Sequence, residues 1–516
     1  MTTTTENIAT SLSTTGNACC DLFFKSVRGA EEGIIFDLCD TAWAYNPMDV
    51  LRIMLYTRDC ESGKGERQVF YNMMRWLWCR SDTHVCKMLC LIVKDDPHFG
   101  YWKDPLNVLL ALKESVDIER HPVYNQVVEL FADQLRKDLS SLEDGTVQTI
   151  SMCAKYAPTK HGAHDKRLRI SDAIAKRWFP EERFYQTRYR KTLRRMREHL
   201  RVAEAMFCEN RWDELVFDKM PGMCLYRHTE AFKRRCPSKW EAYLEDVRNR
   251  KKEMKVRMLY PYEIVMPYLE NYVSSCGNPI ESESHVEAAW TKKVEEVRRL
   301  GKLRRRIIPI CDVSGSMFCD NYLPIANSVS LGLLISEASE GMFKNTVVTF
   351  SESPRLLDLS EGASLLDRLH ILMEKGVGFN TDFVKVFKML LHHMRTYNVK
   401  PEDAPEVLMC ISDMQFDETD SGGSNFKHVR DMYERAGYVL PEIWFWNVRG
   451  NTVDFPVSCH EKNVSLVSGF SPSVVDLLVE GDCVTPYTIM RRALDKERYK
   501  CVEEIFGKID LNTIDV

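Results

Sequence analysis

From about Asp21 to Leu300, apolar residues recur at spacings of three and four, which predicts a succession of amphipathic helices. Val50, Ile53 and Met54 mark one such face, and Val69, Met73, Trp76 and Leu77 another; Val127, Leu130 and Phe131, then Ile170, Ala173 and Ile174, continue the pattern. Strand-like alternation is scarce here, and Pro97, Gly100, Pro105, Pro122 and Pro158 fall between segments. Stacked helical pairs, as in an α-solenoid or HEAT-like array, are expected, although no strict sequence period is visible. At about Leu303 the pattern changes. Ile307-Ile308-Pro309-Ile310-Cys311, Thr346 to Phe350, Val407 to Ile411, Glu442 to Val448 and Val464 to Val467 are short apolar runs. Helical segments separate them, at about Tyr322 to Ala338 and Asp382 to Tyr397. Such alternation predicts a doubly wound, mostly parallel sheet covered on both faces. The Ser-Glu-Ser-Pro turn before Arg355 to Leu359 adds one short antiparallel edge strand. The expected organisation is a polar leader over residues 1–20, an α-helical repeat domain over 21–300 and an α/β domain over 301–516.

Composition narrows the class. A hydrophobic fraction of 44% with 28% charged residues is that of a folded soluble chain and excludes a disordered tail. No apolar run approaches the ~18–20 residues that a membrane-spanning helix needs, so no membrane partner is expected. The Thr/Ser-rich stretch Met1 to Asn17 lacks the basic start and apolar centre of a secretion signal. Eighteen cysteines, set in apolar contexts such as Leu89-Cys90-Leu91 and Met409-Cys410-Ile411, are expected to be reduced core residues of a cytoplasmic protein.

In an open α/β sheet, ligands bind beyond the carboxyl ends of the strands. Asp312 and Asp413 each close a predicted strand. Asp312-Val313-Ser314-Gly315-Ser316 places three oxygen donors in one loop, and Thr381 precedes a predicted helix. Asp312, Ser314, Ser316, Thr381 and Asp413 supply only hydroxyls and carboxylates. With no thiol or imidazole, they form a set suited to Mg²⁺ or another hard divalent cation. Neither serine has a histidine in the same loop to serve as base, so no catalytic residue is assigned and an enzyme is not expected.

Local charge departs from the whole-chain balance of −5. Cations crowd residues 166–201, and Arg183, Arg188, Arg190, Lys191, Arg194, Arg195 and Arg197 are the candidates for RNA contact. Trp178, Phe184, Tyr185 and Tyr189 interleave with them, as phosphate contact with base stacking requires. A solvated helix face is the alternative. The Asp59-to-Arg67 segment lacks the spacing of a phosphate-binding loop. It reads as a charged turn between helices that could present Arg58 and Arg67 to a phosphate. Cys79, His84, Cys86 and Cys90 match no common zinc spacing, and buried thiols are favoured.

The order D-x-S-x-S, Thr, Asp resembles the metal-ion-dependent adhesion site (MIDAS) of von Willebrand A domains. By that resemblance, Ser314 and Ser316 would ligate directly, and Asp312 and Asp413 mostly through water. Thr381 would bind in one state of the site, and a partner's carboxylate would complete it. A helical-repeat half followed by such a domain resembles the Ro ribonucleoprotein (TROVE) architecture. More closely, the chain is similar to a TROVE-like family with a von Willebrand A half. The resembling segments are Gly63-Lys64-Gly65-Glu66-Arg67, Cys153-Ala154-Lys155-Tyr156-Ala157-Pro158-Thr159, Asn210-Arg211-Trp212 and Tyr243-Leu244-Glu245-Asp246-Val247, with the metal motif. The resemblance implies a non-enzymatic scaffold that binds structured or misfolded small RNA. The rival expectation is a metal-dependent protein–protein interaction module that engages an acidic ligand without nucleic acid.

Overall fold

The structure is a computed structural model. It describes residues 2–4, 10–145, 150–275, 281–299, 305–350, 354–376, 383–415, 425–450, 452, 454–471 and 484–507. Two short strands, β1 (Thr2–Thr4) and β2 (Thr10–Leu12), form a hairpin. Helices then run from Ala18 to Arg299. Several helices start at side-chain caps. Asn46 accepts a hydrogen bond from Asp49 N ahead of Pro47 at the first turn, and Ser81 accepts one from His84 N. Within the stretch expected to be a loose leader, the backbone N–H of Thr15 and the hydroxyls of Thr14 and Thr15 all donate to Asp21, and Leu12 bridges to Phe455.

The C-terminal part holds β3 (Ile307–Asp312), β4 (Thr346–Phe350), β5 (Leu356–Asp358), β6 (Val407–Ser412), β7 (Glu442–Asn447) and β8 (Val464–Ser468). They form one sheet in the order β5-β4-β3-β6-β7-β8, parallel except for the β4–β5 pair. Counted from β3, this is the 3-2-1-4-5-6 order of a doubly wound sheet. Alternate side chains feed two cores. Ile307, Cys311, Val407, Met409, Ile411, Trp444 and Trp446 face one; Ile308, Ile310, Leu408, Cys410, Ile443 and Phe445 face the other. Buried on both faces, these strands are mostly apolar, with Thr349 and Ser465 as buried exceptions.

Helix Leu323–Ala338 is enclosed on all sides, and even its serines and Asn327 are buried. It packs between the sheet and helix Pro261–Ser275 of the helical part. At Gly332 the approach is so close that a Cβ would collide with Cys311 Sγ.

The two parts are clasped in both directions. Near the N-terminus, Phe24 enters the core of the sheet, and Lys25 Nζ donates to Thr452 Oγ1 (3.0 Å) and Asp454 O (2.6 Å). Near the C-terminus, helices Pro486–Leu494 and Cys501–Phe506 return to pack on helix Pro47–Arg58. The clasp centres on the turn from Arg58 to Arg67. Arg58 is wholly buried and donates to Asp104 through Nε (2.9 Å) and Nη2 (2.6 Å). Buried Asp59 accepts from Arg498 Nη2 (3.0 Å) and from the Tyr499 hydroxyl (2.6 Å). Lys64 Nζ donates to the carbonyls of Phe23 and Ser26 and to Ser468 Oγ (2.7 Å) at the end of β8. Complete burial pushes its pKa down to about 7. The helical part also closes on itself. Arg28 donates to Glu66 (3.1 Å) and to the hydroxyl of Tyr262 (2.6 Å), which lies 234 residues further along the chain.

Removing one partner of a buried, hydrogen-bonded ion pair strands the other charge. Arg58→Ala should therefore lower the unfolding free energy by about 3–5 kcal/mol in urea denaturation. A loss below ~1 kcal/mol would show that Asp104 is held by its other donors alone.

Candidate functional site at the strand ends

The doubly wound sheet brings Asp312 and Asp413 to the carboxyl ends of adjacent parallel strands. Both are completely buried. Asp312 Oδ1 accepts from Ser314 N (3.0 Å), and Oδ2 accepts from Ser412 Oγ (2.5 Å). Burial and the nearby charge of Asp413 push the Asp312 carboxyl above the usual carboxylate range. The hydroxyls of Ser314 and Ser316 lie 3.1 Å apart, the first buried and the second exposed at the mouth of the site. Two of the five expected metal residues thus supply carboxylates and two supply hydroxyls in one place; Thr381 lies outside the described residues. Among the described residues, no cluster of three or more His, Cys, Asp or Glu side chains forms a metal set.

Three participants were missed from sequence. Ser412 anchors Asp312 and also accepts from Met414 N (3.1 Å). Arg449, just beyond β7, donates to Asp413 Oδ2 at 3.2 Å. Gln415 N donates to Asp413 Oδ1 (3.2 Å), and its side chain reaches Asp454 (3.0 Å). Arg449 sits at the end of a third parallel strand, so its place relative to the sheet was the available signal. Its aim at Asp413 was not. The Arg449 guanidinium pairs with one of the two buried carboxylates, Asp413, and the serine hydroxyls offer further hard donors. Oxygen donors of this kind are those a small divalent cation would take, with Ser316 the exposed member of the set.

The candidate RNA residues lie far along the helical part, on and just before helix Tyr185–His199. Arg183, Arg188, Arg190, Lys191, Arg194 and Arg195 are exposed. Arg183 lies over the ring of Phe184 at 5.4 Å, and that ring is 69% exposed. Arg194 pairs with Glu198 (3.0 Å) and Glu209 (3.4 Å), and Arg195 with Glu143 (3.3 Å). Arg197 differs from the rest. It turns inward and donates to the carbonyls of Ala154 and Ala157, both at 2.8 Å, so its work is structural. Tyr189 is likewise buried, donating to Pro158 O (2.8 Å). No helix among the described residues is long and apolar enough to cross a membrane.

The class that fold and site define is a two-part protein: a closed helical part joined to a doubly wound α/β domain with an oxygen-rich site at its strand ends. The chain belongs to the family described as a domain of unknown function (DUF2828), which matches residues 5–122 and 114–303. A second domain of unknown function (DUF7788) matches residues 306–505. The chain is also similar to an uncharacterized protein of Acanthamoeba polyphaga mimivirus, 26% identical over 535 residues, covering 99% of this chain and 90% of the viral one.

Replacing Arg449 by Met leaves Asp413 beside Asp312 without its cation. Unfolding free energy should fall by about 1–3 kcal/mol. Unchanged stability in chemical denaturation would mean that Asp413 is neutralised by another group.

Proposed function

We propose that this protein is a non-enzymatic RNA-binding scaffold, with a TROVE-like, HEAT-like helical half and a von Willebrand A-type domain that docks a second ligand through a divalent cation. The observation that carries the RNA reading is the outer face of helix Tyr185–His199. There, exposed Arg188, Arg190 and Lys191 adjoin Arg183 and the exposed ring of Phe184. Guanidinium groups beside an open aromatic face suit phosphate contact and base stacking on structured or misfolded small RNA. The sheet order and the convergence of Asp312, Ser314, Ser316 and Asp413 support the von Willebrand A reading. In that reading, Mg²⁺ would supply a Lewis-acidic docking point for an oxygen donor, such as an acidic side chain of a protein ligand.

A second reading has its own support. The ion pairs of Arg194 and Arg195 already neutralise part of the basic face, as expected for a solvated helix in a metal-dependent protein–protein interaction module.

Affinity for structured RNA should fall steeply with salt, in proportion to the phosphates neutralised. Reversing Arg190, Lys191, Arg194 and Arg195 to Glu should abolish it. Absent or salt-insensitive binding in filter or polarisation assays would favour the second reading. For the cation, Mg²⁺ should raise the melting temperature of the wild type and not that of Ser316→Ala, whose exposed hydroxyl is dispensable for folding. Equal responses of the two proteins would argue against the metal site.

A further inference from the structure

A cavity of about 940 Å³ lies inside the helical part, walled by segments from Arg28 to Arg299, with Ser471 of the α/β domain at its edge. Its wall carries nine Arg or Lys side chains against six carboxylates among the described residues. Most of the carboxylates are already committed. Asp104 holds Arg58, Glu204 holds Lys155 (3.1 Å), Glu296 holds Lys293 (3.3 Å), and Glu61 lies 3.6 Å from Arg498. Four cations remain. The side chains of Arg67, Lys103, Arg227 and Arg257 are exposed and make no hydrogen bond or ion pair among the described residues. Arg67 and Arg227 both lie near Glu263, whose carboxyl burial raises and their charges lower, and Arg67 also lies near Tyr156. Glu263 itself accepts from the backbone N–H of Tyr260 (3.0 Å).

Surplus charge is half of the pattern. The same wall presents flat and soft apolar groups: Tyr156, exposed Met152 and Met258, and the stacked pair Tyr260 and Tyr262 with ring centroids 5.8 Å apart. Unpaired guanidinium groups match phosphate oxygens bidentately, and aromatic and thioether surfaces match a heterocyclic ring. The volume falls within the roughly 300–1,000 Å³ of clefts that enclose a small ligand.

We infer that this cavity is a binding site for a phosphorylated nucleoside of mononucleotide size, its phosphates held by Arg67 and Arg227 and its base set against the tyrosine and methionine wall. The site is separate from the outer helix Tyr185–His199 and from the strand-end site of Asp312 and Asp413. The turn that holds the two parts together thereby gains a second task. Arg58 and Lys64 are spent on structure, and Arg67, at its end, faces the ligand.

The test is titration of the full chain with ATP, AMP, adenosine, inorganic phosphate and a 12-nucleotide single-stranded RNA. ATP should bind more tightly than adenosine or phosphate alone, and Arg67→Ala and Arg227→Ala should each weaken it about tenfold or more. Because neither side chain makes a hydrogen bond or ion pair among the described residues, melting temperatures should change little; Arg190→Glu on the outer helix should bind ATP normally. No ATP binding, or binding indifferent to Arg67→Ala and Arg227→Ala, would overturn the inference. So would RNA binding that both variants weaken in the absence of any mononucleotide binding, which would assign the cavity to a polymer instead.

Discussion

A buried lysine ammonium ties the molecule together. Lys64 leaves a turn between two helices of the N-terminal part, is removed from water, and finds three acceptors. Two are carbonyls at the end of helix Ala18–Lys25, and the third is the hydroxyl at the end of the last strand of the sheet. Burying a cation is unfavourable unless its donors are satisfied, so the geometry of all three partners is constrained at once. The same turn sends Asp59 to Arg498 and Tyr499 and Glu66 to Arg28. Polar groups that would repel an apolar interface therefore fix the register between two parts that fold on different plans. Gly63 lets the turn pass within the carbonyl of Tyr56, where a Cβ would collide.

What the clasp positions is chemically distinct on its two sides. On the sheet side, parallel strands bring Asp312, Asp413 and Arg449 together at their carboxyl ends, where the topology opens a crevice. There two buried carboxylates lie side by side, and Arg449 pairs with Asp413. On the helical side, where Arg28 closes onto Glu66 and Tyr262, the cavity wall has most of its acids paired and four of its nine cations without an ion pair among the described residues.

Much of this was readable from the chain. Runs dominated by apolar residues located β3, β4, β6, β7 and β8 within a residue or two, because a strand buried on both faces has few polar positions. The end-of-strand rule placed Asp312 and Asp413 correctly. Arg449 escaped because its partner is 36 residues away, and no local pattern encodes that pairing. Arg197 was grouped with the basic face, yet helical phase turns it inward to two carbonyls, a destination set by the neighbouring helix. The Asp59-to-Arg67 segment lacks the spacing of a phosphate-binding loop and reads from sequence as a charged turn between helices, which is where the structure places it. Its role as a clasp was hidden because Ser468, Arg498 and Tyr499 lie some 400 residues downstream. The cavity was hidden for the same reason: its wall is assembled from many helices, none of which is unusual alone.

The central claim is that the turn from Arg58 to Arg67 couples the two parts into one cooperative unit. Differential scanning calorimetry of the full chain tests it most directly, comparing wild type with a Lys64→Met, Asp59→Asn double variant. Coupling through the turn predicts one transition in the wild type and, in the variant, a lowered and broadened unfolding whose calorimetric enthalpy exceeds the van't Hoff value. A single transition in both proteins at the same melting temperature would contradict it.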